Sequence, residues 1–372
     1  MQSRCDVVAR HQHFPCNRGV ARFVGTNEAD TAKAVEEEDV TNRSQHGDDD
    51  VVHIWTQRGF HPKYAKIARM RGGIKGLAEY TLALLVIRMF RAMPRSVAGW
   101  TARSLAWLAF HLAARQRRAG MRNLQMAFPS ITDEERKRVL KGTFDNLARL
   151  LVEFTHFPEL NETNISRFVI HDGLENYLEA LRRGRGVIFM TAHFGAWELS
   201  SFAHAVYGYP LKFLVRPIDN PRVEELISSY RTASGNQPIQ RRSATRDVLK
   251  ALRRNEAVGI LFDQNTTRSE GVFAEFFGIP AATTPSIALF ALRTGAAVVP
   301  GFLIWDAELQ KHRLRLDPPV ELISTGDLER DVLENTRRFN GILESYIRRY
   351  PDQWLWIHRR WKTRPEGEAS LY

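Results

Sequence analysis

Apolar positions fall into two regimes along this chain, and the change comes near Pro158. Before it, hydrophobic side chains recur at helical spacing or in runs too long for a strand; after it, short β-branched and aromatic runs alternate with longer amphipathic ones. Residues 76–90, GLAEYTLALLVIRMF, are strongly apolar, yet Glu79 and Arg88 interrupt them and leave 81–87 as the charge-free core. That is short of the roughly 20 residues a helix needs to cross a bilayer. A second helical stretch, 97–114, sets Trp100, Leu105, Trp107, Leu108 and Phe110 beside Arg103 and runs into Arg115, Arg117, Arg118 and Arg122. Such a pattern suits a helix lying in a membrane interface with its basic groups toward anionic lipid. It also suits two amphipathic helices packed on a domain. Residues 133–152 read as a further helix, with Thr132 at its N-cap and Asp133, Glu134 and Glu135 in its first turn.

Beyond Pro158, residues 186–190, 211–215, 257–262 and 297–304 read as strands, separated by helices at 197–206, 223–233, 244–253 and 286–294. This alternation predicts an α/β fold, a largely parallel mixed sheet flanked by helices, preceded by N-terminal membrane-facing helices. The chain divides accordingly into an extension (1–55), a helical, membrane-associated region (56–157), the α/β domain (158–367) and a short tail (368–372). The extension is polar, with glutamates at 36–38 and aspartates at 48–50 and no helix or strand period, and is expected to be disordered. It lacks the basic region, apolar core and small-residue cleavage site of a secretory signal.

Composition narrows the chemistry. Lys and Arg outnumber Asp and Glu by 53 to 42, a net charge of +11, which suits an acidic partner: a phospholipid headgroup, a phosphorylated glycolipid, an acidic carrier protein or nucleic acid. Both cysteines, Cys5 and Cys16, stand in the extension, so the body of the protein has neither a disulfide framework nor a thiol nucleophile, and a reducing setting fits. With His11 and His13 they form the one group resembling a metal site, but no matching cluster follows, and no metal is expected.

The segment Thr191-Ala-His-Phe-Gly-Ala-Trp-Glu-Leu199 follows an apolar strand and opens a helix. Ligands of open α/β sheets bind outside the carboxyl ends of the strands, so a histidine there faces the cleft. His193 and Glu198 are five residues apart and meet only if His193 lies just before the first helical turn. In that geometry the carboxylate would hold one imidazole nitrogen protonated and leave the other as general base for a substrate hydroxyl. Gly195 would leave room for substrate near the backbone. The plainer reading is a strand-end histidine and an unrelated solvated glutamate.

Other segments of the chain weigh against that plainer reading. H-x4-E after a strand, Arg216-Pro-Ile-Asp-Asn-Pro221, Leu261-Phe-Asp-Gln264, a Phe-rich turn and the terminal Trp354-Leu-Trp-Ile-His-Arg-Arg-Trp-Lys-Thr-Arg-Pro-Glu-Gly367 together resemble the bacterial lipid A biosynthesis acyltransferases. Arg122-Asn-Leu124 and Ala127-Phe-Pro129 match as well, so the resemblance spans about residues 60–367; the terminal motif is its most specific part. The resemblance implies a glycerolipid-acyltransferase-like fold at the cytoplasmic face of an inner membrane. It implies transfer of a fatty acyl chain from acyl carrier protein to a hydroxyl of a lipid A-type glycolipid; the residues do not exclude acyl-coenzyme A as donor, and no cofactor beyond the donor is expected. His193 is then the catalytic base, Glu198 its orienting acid, Arg231 an arginine needed for activity and Asp263 an essential aspartate. The same elements leave open a lysophospholipid or mannosylated inositol lipid as acceptor, and a non-catalytic lipid-binding protein of the same fold.

Each of these residues also has a reading of its own. Asp263 and Gln264 end a strand that, if parallel to the one before His193, delivers them to the same edge, to bind substrate or anchor Arg231; Asp263 could instead cap a turn. Arg216 and Arg231 carry a planar fork suited to phosphate, or could bridge carboxylates. Phe273, Phe276 and Phe277 line an acyl groove or belong to the core. Trp354, Trp356 and Trp361 interleave with Arg359, Arg360, Lys362 and Arg364, which is read as a basic aromatic edge beside a membrane in preference to a nucleic-acid surface, since no nucleic-acid motif accompanies it.

Overall fold

The computed structural model describes residues 73–240 and 244–372. The extension 1–55, with Cys5, His11, His13 and Cys16, and the first part of the 56–157 region lie outside the described residues. Helix α1 (Ile74–Ala92) ends where Met93 turns extended ahead of Pro94, and α2 (Arg95–Leu112) starts on the next residue. A residue before proline is driven out of the helical region, so the break is written in the sequence. The helix expected over 97–114 stops at Leu112, and α3 (Ala114–Ala127) continues in a new direction past Ala113. Helix α4 (Asp133–Thr155) opens on a capping box: the Thr132 hydroxyl accepts from Glu135 N–H at 3.2 Å and the Glu135 carboxylate accepts from Thr132 N–H at 2.8 Å.

Ala98, Ala102, Ala106 and Phe110 recur every four residues and form the buried stripe of α2, which packs along α4. Three alanines on that stripe let the two backbones approach closely. Phe110, grouped by sequence with the outward aromatics, is buried against Phe144 with ring centres 5.5 Å apart. The opposite face of α2 is different: Trp100, Trp107 and Leu112 are 73%, 64% and 73% exposed. None of the helices among the described residues is long and apolar enough to cross a membrane.

Among the described residues, seven strands form one sheet in the order β1-β9-β8-β2-β5-β3-β4. They are β1 (Val169–Asp172), β2 (Val187–Thr191), β3 (Lys212–Val215), β4 (Gln237–Gln240), β5 (Ala257–Leu261), β8 (Ala297–Asp306) and β9 (Lys311–Leu316); β8 and β9 pair antiparallel and the remaining neighbours are parallel. Two further strands, β6 (Val272–Phe276) and β7 (Ile279–Thr283), make a separate hairpin. Along β2, Val187 and Phe189 enter an apolar cluster with α5 (Leu174–Arg182) and α6 (Trp197–Val206). Ile188 and Met190 enter another with α8 (Ala244–Arg253), α9 (Ser286–Thr294), α10 (Leu328–Arg349) and the N-terminal helices. Both faces of the sheet are therefore covered, which is why its central strands read as continuous apolar runs. The helical region shares the core with the sheet rather than standing apart from it.

The C-terminal segment reverses its sequence reading. Trp354, Trp356 and Trp361 are at most 1% exposed, and Arg360 is fully buried, donating to the Ala282 carbonyl (2.9 Å) and the Thr283 hydroxyl (2.6 Å). Lys362 alone of the four cations is fully at the surface. Interleaved tryptophan and arginine suit an interface or an interior equally; what favours the interior is that the Trp354 and Trp356 indoles and the terminal nitrogens of Arg360 find acceptors there, although Trp361 Nε1 and Arg360 Nε are buried without one among the described residues. Phe276 and Phe277 are core as well, Phe276 lying against Trp354 and Trp361. The last residues dock too: the Tyr372 hydroxyl donates to Asn123 Oδ1, and the Leu371 carbonyl accepts from Arg122 Nε at 2.8 Å.

Candidate active site

β2 and β5 are parallel neighbours in the register Thr191 to Leu261. His193 and Asp263 each lie two residues past their paired strand ends, so the sheet delivers both to one edge at the same offset. They touch: His193 Nδ1 is 2.8 Å from Asp263 Oδ1, and the His193 backbone N–H donates to Oδ2 at 3.1 Å. A third donor, the Trp354 indole N–H, reaches the same Oδ2 at 2.9 Å. Asp263 is 2% exposed. Burial pushes its carboxyl upward, but the facing imidazole and the three donated hydrogen bonds outweigh that and hold it below the usual carboxylate range. Burial alone would lower the His193 pKa; the Asp263 charge and hydrogen bond, helped by Glu198, raise it above the ordinary histidine value.

The other ring nitrogen faces an exposed side chain. Gln264, exposed, places its amide nitrogen 3.2 Å from His193 Nε2. A donor there requires the lone pair on Nε2 and so the proton on Nδ1, facing Asp263. This is the tautomer a general base needs.

The loop carrying His193 is held from below. The His193 carbonyl accepts from Leu355 N–H (3.1 Å), Gly195 N–H donates to the Gln353 carbonyl (2.8 Å), and the Asn146 side chain on α4 donates to the Gly195 carbonyl (3.0 Å). Gly195 sits at φ +58°, and a Cβ there would stand 1.7 Å from the Leu303 carbonyl oxygen. The glycine thus serves a close backbone approach, not space for substrate. On the Asp263 side, Asn265 N–H donates to His358 Nε2 at 2.9 Å, and burial holds His358 down to about 4, so it stays a neutral acceptor.

Glu198 does not bond to His193. It lies in the first turn of α6 and forms a two-point ion pair with Arg231, in the last turn of α7 (Pro221–Thr232), at 2.9 and 2.5 Å. The carboxylate on the imidazole is Asp263, and Arg231 is anchored by Glu198 rather than by Asp263. The five-residue spacing fails for the reason it raised: Glu198 faces α7 from the helix, while the strand register supplies a nearer carboxylate. Arg216 follows β3 at the same edge of the sheet, exposed and with no ion pair to a described residue. The Trp354 motif is legible in the sequence and its composition points to the surface, whereas the fold buries the indole against Asp263.

A family model described as bacterial lipid A biosynthesis acyltransferase matches residues 75–363. The chain belongs to that family. It is 30% identical over 288 residues to the lipid A biosynthesis palmitoleoyltransferase of Escherichia coli (strain K12), covering 77% of this chain and 92% of the relative. To the lauroyltransferase of the same strain it is 28% identical over 269 residues, 72% and 86% of the two chains. A lipid A biosynthesis acyltransferase of Haemophilus influenzae is 27% identical over 266 residues, 72% and 81%. The protein is an acyltransferase, and the His193 cluster lies within the matched region.

Trp354→Phe keeps the ring packing and removes one hydrogen bond to Asp263. It is expected to lower kcat about tenfold with KM little changed, because an unoriented carboxylate positions the imidazole less well. An unchanged kcat in steady-state assays would show that the indole only fills space.

Proposed function

We propose that this acyltransferase moves a fatty acyl chain from an acyl thioester, carried by acyl carrier protein, to a hydroxyl of a phosphorylated lipid A precursor. His193 is the general base. The observation that carries this reading is the bond from His193 Nδ1 to the buried Asp263, which leaves the Nε2 lone pair at the edge of the sheet, met by the exposed Gln264 amide that an acceptor hydroxyl would displace. Nε2 takes the proton of the acceptor hydroxyl as its oxygen attacks the thioester carbonyl. The tetrahedral intermediate then expels the thiolate, and the imidazolium returns the proton to that sulfur. The transfer is read as direct, since the chain has no cysteine beyond Cys16 and no Gly-x-Ser-x-Gly elbow to suggest an acyl-enzyme. Gln264, beside Nε2, donates to the reacting oxygens, and Arg216 and the Arg231–Glu198 pair hold the phosphorylated acceptor at the sheet edge.

The test is mass spectrometry of membrane lipids from cells with the enzyme, without it and with His193→Ala. One acyl increment on the phosphorylated glycolipid, lost in both controls, is the expected result. The same increment on a lysophospholipid or a mannosylated inositol lipid would reassign the acceptor.

The same reading places the enzyme at the cytoplasmic face of the inner membrane, held by the outward faces of α1 and α2. Leu82, Leu85, Trp100, Trp107 and Leu112 point away from the core there. The helices cannot simply be deleted, because Phe90 and the Ala98–Phe110 stripe belong to the core. Replacing Trp100, Trp107 and Leu112 with serine should preserve the melting temperature and weaken flotation with neutral and anionic vesicles alike. Undiminished flotation would move the membrane contact elsewhere.

A further inference from the structure

Arginine lines two clefts among the described residues that differ in one respect. Beside β8 and β9, Arg313 pairs with Asp306 and Asp172, and Arg315 pairs with Asp172 and Asp317, so the charges are matched within the cleft. Between α2, α3 and α4 lies a second cleft of about 490 Å³ with Arg117, Arg118, Arg122 and Lys137 on its walls. No aspartate or glutamate lines it among the described residues. Phe110 and Met121 give it an apolar floor, and His111 stands at its side.

The cations there are only partly engaged. Arg117 uses one nitrogen to cap the end of α2, donating to the Phe110 and His111 carbonyls at 2.6 and 2.8 Å. Arg122 uses Nε on the Leu371 carbonyl. Lys137 pairs with Glu134 on the exposed side of α4, and Arg118 has no polar partner among the described residues. Several guanidinium donors therefore converge on one concave space without an acceptor. The cleft also borders the outward face of α2 at its apolar end: Trp107 packs edge-on against His111 at 4.6 Å, and the residues that follow each, Leu108 and Leu112, are exposed.

We propose that this cleft binds the phosphate of an anionic phospholipid headgroup, with Trp107, Leu108 and Leu112 entering the acyl region beside it. The proposal rests on the interfacial reading of α2 and adds a specific ligand to it. Guanidinium forks match phosphate oxygens, and a tryptophan next to them suits the depth at which headgroup and chain meet. The site is separate from the catalytic edge, and its function is to select and orient the surface on which the enzyme works.

Vesicle binding by the full chain tests this, using phosphatidylcholine alone and phosphatidylcholine with a fifth phosphatidylglycerol. Arg118→Gln with Lys137→Gln should weaken binding to the anionic vesicles at least tenfold and leave binding to the neutral ones unchanged. Arg253→Gln with Arg330→Gln removes the same charge from exposed positions on α8 and α10 and should cost less than threefold. Equal losses in the two pairs would mean diffuse attraction by net charge and would overturn the site. Wild-type binding that ignores phosphatidylglycerol would overturn the site and leave the interfacial helices standing. Failure of the wild type to bind either vesicle would remove both. Melting temperatures within a degree or two of wild type confirm that each variant is folded.

Discussion

Asp263→Asn is expected to reduce acyl transfer about 10²–10⁴-fold, as much as His193→Ala, while Glu198→Gln costs less. The asparagine fits the same space, but its amide can turn an N–H toward His193 Nδ1. That would favour the opposite tautomer, placing the ring proton on Nε2, where the base needs a lone pair. Combining His193→Ala with Asp263→Asn should cost little more than either alone, because the pair acts as one unit. The pH profile separates Asp263 from a merely structural carboxylate. The base works neutral, and its pKa is raised by Asp263, so kcat/KM should fall as pH drops through a value above the ordinary 6.5 of histidine. Without the Asp263 charge, burial dominates and disfavours the imidazolium, so the acid limb of the residual activity should move to lower pH. A limb that stays in place in Asp263→Asn, or that moves further in Glu198→Gln, would return the orienting role to Glu198.

Much of this site is legible in the sequence, and the parts that are not share a cause. The apolar runs predict β2, β3, β5 and β8, because buried parallel strands lack polar positions. β9 escapes that reading: in Lys311-His-Arg-Leu-Arg-Leu316 every second residue is charged, and Arg313 and Arg315 pair with Asp172 on β1, Asp306 on β8 and Asp317 just past β9. β4, with Pro238 in a four-residue edge strand, carries no apolar run at all. Within the site, His193, Asp263 and Gln264 all stand out in the sequence, but which carboxylate meets the imidazole depends on strand register, and spacing along the chain cannot report a neighbour 70 residues away. The tryptophan-arginine segment shows the same limit in another form. Its composition is plain and its location is not, since burial of Arg360 depends on carbonyls of β7 that only the fold brings near.

Gly195→Ala should destabilise the protein by about 3 kcal/mol or more and abolish most activity, although the change adds one methyl group. Two effects combine. At φ +58° an alanine is in the left-handed region, which costs roughly 1–2 kcal/mol for a residue with a Cβ. The added carbon would also stand 1.7 Å from the Leu303 carbonyl oxygen, well inside contact distance, and that oxygen belongs to the central strand β8. Neither backbone can yield cheaply, because Gly195 is tied to Gln353 and Asn146, and Leu303 is paired with Leu314 on β9. The loop that must move is the one that holds His193 against Asp263, so activity is lost together with stability. Gly278→Ala is the control. Gly278 has φ +72° but nothing within 4 Å of its Cβ position, so only the backbone cost applies, about 1 kcal/mol, with activity retained. Chemical denaturation of the two variants beside wild type separates the contributions. A Gly195→Ala protein no less stable than Gly278→Ala would show that the histidine loop can move away from β8, and the rigid positioning of His193 would then need another source.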